Sequence, residues 1–219
     1  MNQPIFRLKI KSIKYYEKTI LDDIDITINS VGLYGLFGRN GQGKSTLLKA
    51  IAGLKTYDGE ISYDNETLET NDIAFLATEP NVYEYLTAKE FYDFYQKVSG
   101  REKLNKTPNT IFDIDENIQL IAMSTGTLKK AYINCILQFD DYKIYIFDEP
   151  FNGLDIESNY ILLNLIKKLA EKNIVFVSSH IIEIISPYLT TTFFVNEKKV
   201  IEVENDNIVN LFNQNLSNE

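Results

Sequence analysis

A glycine-rich segment near the start of the chain constrains the fold more than any other feature. It reads G-R-N-G-Q-G-K-S-T over residues 38–46 and matches the pattern G-x-x-x-x-G-K-[ST]. A short apolar run over residues 31–37 precedes it. Apolar residues recur at helical spacing after it: Leu47, Leu48, Ile51 and Leu54. We therefore predict a buried strand, a phosphate-binding loop and a helix, in that order.

Such a loop carries specific chemistry. Its glycines let backbone N–H groups turn onto a phosphate, and the helix N-terminus adds partial positive charge. Lys44 is expected to reach the β- and γ-phosphates, and the Ser45 hydroxyl to ligate Mg²⁺. From average residue usage, a chance match in a chain this long is on the order of one per cent. The sequence predicts a nucleoside triphosphate site.

Composition narrows the class of protein. The 219 residues, 44% hydrophobic and 24% charged, suit one soluble domain with a substantial core. No apolar run approaches the roughly 20 residues of a membrane-spanning helix, and Arg7 and Lys9 interrupt any signal-peptide core. Cys135 is the single cysteine, which excludes an intrachain disulfide and favours a buried small hydrophobe. These features favour the cytoplasm.

Charge argues against nucleic acid as a partner. The net charge is −9 and the pI about 4.8, whereas phosphate contacts need a basic face. One strand is a local exception, because Arg7, Lys9 and Lys11 alternate with apolar residues. This strand is either a basic binding face or a solvated edge strand protected by its charges, and we favour the edge strand.

Alternating apolar runs outline the rest of the fold. Strands are predicted over residues 6–10, 24–28, 60–63, 73–77, 144–147, 174–177, 191–195 and 198–203. The first two look antiparallel, and the last two form a hairpin that turns at Asn196-Glu197. Residues 161–169 carry an amphipathic helical pattern, and Pro187 is expected to end a further helix.

A mostly helical stretch interrupts this alternation between residues 79 and 123. Thr87 and Glu90 form a capping box that opens a helix. The helix carries an apolar stripe, interpreted as packing: Phe91, Phe94, Tyr95 and Val98. A polar loop over 100–109 and a second helix over 110–121 are predicted to follow.

Two further signals sit at strand ends. Asp148 and Glu149 end an apolar strand, at the sheet edge that should face the phosphate loop. Asp148 would hold Mg²⁺ through its water shell, and Glu149 would orient or deprotonate the attacking water. Taken alone, an Asp-Glu pair after an apolar strand could equally mark a plain boundary between a strand and a turn. His180 is the only histidine and follows the next predicted strand. A neutral imidazole there could form a hydrogen bond to the γ-phosphate or to the attacking water. A single histidine is, however, usually a surface or core residue with no catalytic role.

With these motifs, the chain resembles the nucleotide-binding subunit of ATP-binding cassette (ABC) transporters over nearly its whole length. Residues 38–46 match the Walker A loop, residues 144–149 match Walker B, and residues 150–155, ending in Asp155, resemble the D-loop. His180 resembles the switch histidine. Residues 123–127 fall where the family's Leu-Ser-Gly-Gly-Gln signature is expected. Tyr15 is similar to the aromatic that stacks on adenine, with its neighbour Tyr16 left open.

The resemblance implies a fold and a function. The fold is α/β: a P-loop NTPase core with a parallel sheet, an N-terminal antiparallel β subdomain and an inserted α-helical subdomain. One domain would span residues 1–219, with the core in 1–78 and 140–219 and the helical, signature-bearing part in 79–139. The subunit would hydrolyse ATP and drive a separate transmembrane permease from the inner face of the cell membrane. The Glu79-Pro80 pair and the short C-terminal end resemble those of bacterial drug, peptide or lantibiotic exporters, which favours an exporter of this type. The alternatives are a soluble ABC-type ATPase with a regulatory or assembly role, and a binding module without turnover.

The resemblance also assigns roles. Nucleotide binding falls to Tyr15, Gly38, Asn40, Gly41, Gly43, Lys44, Ser45 and Thr46; catalysis to Glu149, His180 and Lys44; and Mg²⁺ to Ser45 and Asp148. Two subunits, identical or different, would close head to tail over ATP. Ser124 and the backbone N–H of Gly126 would then contact the γ-phosphate held by the partner.

This sequence departs from the family pattern in two places. Thr125 replaces the first signature glycine and Thr127 the glutamine. If position 125 needed a left-handed backbone, threonine would cost roughly 1–2 kcal/mol; otherwise the site works unchanged, which we favour. Thr78 stands where the family's Q-loop usually has glutamine, and we hypothesise altered or weaker coupling to the permease.

Overall fold

The computed structural model describes residues 5–79, 82–100, 110–180 and 182–204. Within these ranges the strands are β1 (Phe6–Tyr15), β2 (Lys18–Ile28), β3 (Gly32–Phe37), β4 (Asp58–Tyr63), β5 (Glu66–Thr67), β6 (Ile73–Leu76), β7 (Ile144–Asp148), β8 (Ile174–Ser178), β9 (Thr191–Asn196) and β10 (Lys199–Val203). The α-helices are α1 (Lys44–Ile51), α2 (Ala88–Val98), α3 (Thr125–Ile136), α4 (Ile156–Ala170) and α5 (Ile182–Ile185). None of the helices in the described part of the chain is long and apolar enough to cross a membrane.

A six-stranded sheet carries the candidate site. Its order is β10-β9-β3-β8-β7-β6, and the strands from β9 to β6 run parallel. The strands β3, β7 and β8 are buried along their whole length, as expected for strands covered on both faces. Their carboxyl ends lie along one edge of the sheet, which is where ligands bind in open α/β sheets.

A four-stranded antiparallel sheet holds the N-terminal strands in the order β2-β1-β4-β5. The edge position predicted for the basic strand is wrong, because β1 lies between β2 and β4. Lys9 stands opposite Asp25 on one side and Glu60 on the other, so cross-strand carboxylates face the basic residues. The pairing with β4 joins residues far apart in sequence, which the local pattern did not reveal.

Two hydrophobic clusters hold the layers together. One joins the antiparallel sheet and α1 to one face of the parallel sheet. The other packs α3 and α4 on the opposite face, with the buried end of α2 against α3. Cys135 lies in this second cluster and is fully buried, as predicted. The phosphate loop and the ends of β7 and β8 therefore rest on a rigid, doubly covered sheet.

The capping box at the start of α2 is confirmed. The Thr87 hydroxyl accepts from the Glu90 N–H at 3.2 Å, and the Glu90 carboxylate accepts from the Thr87 N–H at 2.8 Å. The stripe interpreted as packing is only partly so. Phe91 is buried, but Phe94 is 38% and Val98 69% exposed.

The helix predicted over residues 110–121 is wrong. This stretch is irregular and ends in a short 3₁₀ turn, Leu120–Ala122. The buried side chain of Asn134 on α3 accepts from the N–H groups of Ile111 and Phe112 and donates to the Phe112 carbonyl. A tertiary partner thus satisfies backbone groups that a helix would have used.

Smaller differences concern the C-terminal part. The hairpin turns at Glu197 and Lys198, both with positive φ, one residue later than predicted. The helix α5 ends at Ile185, ahead of Pro187, as expected. Pro80 and most of the polar loop predicted over 100–109 lie outside the described residues.

Candidate functional site

The phosphate loop, residues 38–45, joins β3 to α1 as predicted. Gly43 is the N-cap of α1 with φ +110°, and a Cβ there would lie 3.0 Å from Ile20. Glycine is therefore required at this turn. No side-chain cap is seen at this helix start among the described residues, so its N–H groups are free to bind an anion.

Lys44 is buried against the loop that it belongs to. Its Nζ donates to the carbonyl oxygens of Gly38 at 2.8 Å and Arg39 at 3.3 Å. Burial lowers the pKa of Lys44, while the nearby carboxylates of Glu149 and Asp148 act to raise it. The ammonium is thus held beside the anion-binding helix terminus, within the same loop.

Asp148 and Glu149 share one hydroxyl partner on the neighbouring strand. Ser178 Oγ donates to Asp148 Oδ1 at 2.7 Å and accepts from the Glu149 N–H at 3.0 Å. Asp148 pairs with Ser178 in the register of β7 and β8. Sequence reasoning passed over Ser178, although its place at the end of a predicted core strand was an available signal.

Glu149 combines burial, backbone strain and a histidine contact. It is 6% exposed and adopts φ +50°, a left-handed conformation that is costly for a non-glycine residue. Oε1 lies 3.1 Å from His180 Nε2, and Oε2 accepts from the His180 N–H at 3.2 Å. Burial raises the pKa of Glu149, opposed by His180 and Lys44. A carboxyl group with a raised pKa in a cleft is a candidate general base.

One cavity of about 430 Å³ brings most of the predicted residues together. Its lining includes Tyr15, Asn40, Gly41, Gly43, Lys44, Ser45, Thr46, Thr78, Glu149 and His180. Tyr15 is 43% exposed in this cavity, and Lys55 Nζ lies 3.7 Å from its ring centroid. Tyr16 is 99% exposed and is not part of the lining. The geometry therefore favours Tyr15 over Tyr16 as the residue that stacks on the adenine base of the nucleotide. Asn152 also lines the cavity and was missed.

A larger cavity of about 690 Å³ adjoins the first. Ser45 and Thr78 line both, and Asp148 lines the larger one, together with residues of α2 and α3 such as Tyr95 and Tyr132. Thr78 therefore lies where the nucleotide cavity meets the helical part of the chain.

The signature and the D-loop aspartate line neither of these two cavities. Ser124 caps α3, where its Oγ accepts from the Thr127 N–H at 3.2 Å. Asp155 caps α4 by accepting from the Ser158 N–H, and also pairs with Lys130 Nζ at 2.8 Å. These contacts keep the pKa of Asp155 well below its usual range. Within one chain, the signature is thus separate from the phosphate loop.

The replacement of glycine by Thr125 causes no backbone strain. Thr125 is the first residue of α3, and it is not among the residues with positive φ. The threonine conformation is that of an ordinary helix start, so the cost considered for a left-handed backbone does not arise.

Fold and site together define a P-loop ATPase, and comparison with known proteins gives the family. The ABC transporter family profile matches residues 21–152, so the chain belongs to the ABC transporter family, whose ATP-binding domains hydrolyse ATP. A solved structure described as the ATP-binding subunit of an ABC transporter superposes with a TM-score of 0.81 at 25% identity, covering 95% of this chain and 93% of the other.

Two relatives are named as ATP-binding proteins of transport systems. The bacitracin transport ATP-binding protein BcrA of Bacillus licheniformis is 29% identical over 86% of this chain, which spans 65% of that protein's length. The lantibiotic transport ATP-binding protein SrtF of Streptococcus pyogenes is 29% identical, over 95% of this chain and 97% of its own length.

Proposed function

We propose that this chain is the ATP-hydrolysing subunit of an ABC exporter for drugs, peptides or lantibiotics, and that it drives a separate transmembrane permease. The observation that carries the proposal is the convergence of Lys44, Glu149 and His180 on one cavity at the N-terminus of α1. The bacitracin and lantibiotic relatives support the substrate class.

Each residue of the cavity has a role in the proposed reaction. The loop N–H groups bind the phosphates of ATP, and Tyr15 stacks on the base. Lys44 moves its ammonium from the Gly38 carbonyl to the β- and γ-phosphates. Glu149 accepts the proton of the attacking water, and His180 orients that carboxylate and bonds the γ-phosphate.

The oxygen donors of the site fit Mg²⁺. The Ser45 hydroxyl and the Asp148 carboxylate are hard ligands, and Ser178 holds one Asp148 oxygen in place. Mg²⁺ is usually held by one or two protein groups together with the phosphates of its substrate. Mg²⁺ would neutralise charge on the phosphates.

A second subunit completes the proposed site. Ser124 and Gly126 lie at the start of α3, away from the cavity of their own chain. Ser124 and the Gly126 N–H can therefore contact a nucleotide held by a partner. The partner is an identical or a different ABC subunit.

Thr78 is proposed to connect this site to the permease. It lines both the nucleotide cavity and the larger cavity beside α2 and α3. Threonine is shorter than the family's usual glutamine, so we propose altered or weaker coupling. The permease would hold the subunit peripherally on the inner face of the membrane.

Affinity purification of the tagged chain from native membranes in mild detergent tests the function. A polytopic membrane protein recovered at near-stoichiometric yield, with ATPase activity in the complex, supports the transporter. Recovery from the soluble fraction alone, or with soluble proteins, overturns it in favour of a soluble ABC-type ATPase.

A further inference from the structure

A buried lysine on the signature helix reaches the turn that carries the proposed general base. Lys129 follows Ser124 by little more than one turn of α3 and is 3% exposed. Its Nζ donates to the Glu149 carbonyl at 3.0 Å and to the Asn152 carbonyl at 2.7 Å. Glu149 directly follows β7 and Asn152 lies in the D-loop, so both partners belong to the connection between β7 and α4.

Side chains of two neighbouring elements bond the backbone of this turn. Glu149 has a left-handed backbone, and its carbonyl also accepts from the Asn152 N–H at 3.4 Å within the turn. The Glu149 N–H is bonded to Ser178, on the β8 side. Lys129 bonds the carbonyl of the same residue from the α3 side. The strained backbone of Glu149 is therefore held from two directions by side chains of different elements.

Lys129 is buried as a potentially charged group, and burial lowers its pKa to about 8. The hydrogen bonds to two backbone carbonyls offset part of the cost of burying this charge. Asn152, the second acceptor, also lines the nucleotide cavity.

We propose that Lys129 is a positioning residue for hydrolysis, which ties the signature helix to the catalytic carboxylate of the same subunit. The inference rests on the proposed function above. The N-terminus of α3 is the part of this subunit that would contact the partner's nucleotide. When two subunits close over ATP, a movement of α3 would be transmitted through the Lys129 ammonium to the Glu149 turn. Contact of α3 with the partner's nucleotide would then change the position of Glu149 in this subunit's own nucleotide cavity.

The test is steady-state ATP hydrolysis by the full-length chain, with kcat and KM measured separately. Lys129→Met keeps an unbranched side chain of similar shape, one atom shorter, and removes both hydrogen bonds. It is expected to lower kcat by about 10- to 100-fold with little change in KM. Lys129→Gln retains a donor for one carbonyl and should recover part of kcat. It also serves where the methionine variant folds poorly.

Asn134→Ala is the matched control. Asn134 lies on the same helix, is 2% exposed, and also bonds backbone groups of another segment, but at residues 111–112. We expect it to lower the melting temperature while leaving kcat near that of the parent.

Three results would overturn the proposal: a parent-like kcat in Lys129→Met, a change confined to KM, or a kcat loss in Asn134→Ala of the same size. A parent chain that hydrolyses no ATP would overturn the proposed function itself, whereas an active parent with an unaffected Lys129→Met would overturn only this inference.

Discussion

His180 holds both carboxylate oxygens of Glu149. Its Nε2 lies 3.1 Å from Oε1, and its main-chain N–H donates to Oε2 at 3.2 Å. The contact arises because β7 and β8 are adjacent and parallel, with Asp148 in register with Ser178, so that the residues just beyond the two strand ends meet. The chain itself therefore orients this carboxylate at the lining of the nucleotide cavity.

Replacing this carboxylate tests its role as general base. Glu149→Gln keeps the shape of the side chain and an oxygen for the His180 N–H, but it cannot accept a proton from water. We expect kcat to fall by about 100-fold or more while ATP binding persists. ATP should then trap a dimer, measurable by size-exclusion chromatography with and without nucleotide.

Glu171→Gln is a matched control, since it makes the same chemical change on an exposed carboxylate at the far end of α4. It should hydrolyse ATP like the parent. If Glu149→Gln also hydrolysed at the parent rate, Glu149 would lose its assigned role.

We expect substitutions at two neighbouring residues of the signature to have different effects on ATPase activity. Thr125 starts α3 without positive φ, so Thr125→Gly relieves no strain and should cost up to about 1 kcal/mol of stability while leaving ATPase activity unchanged. At Gly126 an added Cβ would lie 3.1 Å from the Gly153 carbonyl, tight against the D-loop. Gly126→Ala should therefore lower activity several-fold by moving that loop.

Urea unfolding and ATP hydrolysis measured on both variants decide the point. A several-fold gain of activity in Thr125→Gly would contradict an undamaged signature. Parent-like activity in Gly126→Ala would show that the D-loop accommodates the methyl group.

The strands and the loop that carry the candidate site were predicted more accurately than the elements around them. The strands β3, β7 and β8 are continuous apolar runs because both sheet faces are covered, and the phosphate loop is a local motif. Each of these features depends only on residues close together in sequence, so a short stretch of sequence is enough to predict it.

Long-range partners account for the errors. The segment over residues 110–121 is irregular because Asn134 bonds its backbone. The strand β1 is interior because β4 pairs with it from about 50 residues further along. Lys129 was overlooked because a lysine is read as exposed, although its spacing with Ile133 and Ile136 places it on a buried face of α3.

Thr78 allows a test of coupling to the permease. It lines the nucleotide cavity and the larger one beside α2, and its side chain is shorter than glutamine. Thr78→Gln should raise the stimulation of ATPase activity by the co-purified permease, by about fivefold if one typical coupling interaction is restored. The measurement compares hydrolysis by the subunit alone with hydrolysis by the reconstituted complex.

Thr67→Gln, on the exposed strand β5, makes the same change away from both cavities and should alter neither rate. If basal and stimulated rates in Thr78→Gln both equalled those of the parent, the idea that this position weakens coupling would be abandoned.

Lys129 also predicts a pH dependence of stability. Its pKa is lowered from 10.5 to about 8 by burial, so between these values the unfolded chain holds a proton that the folded chain has released. Stability from this group therefore rises with pH across that window and is lost as pH falls through about 8. Lys129→Met removes the group, so the unfolding free energy of the parent minus that of the variant should rise from pH 8 to 10, at most by about 1.4 kcal/mol per pH unit. Urea unfolding at several pH values measures it. Lys172→Met changes an exposed lysine, so its free-energy difference from the parent should not vary with pH. If the difference for Lys129→Met were constant or fell with pH, the folded state would not disfavour the charged form of Lys129.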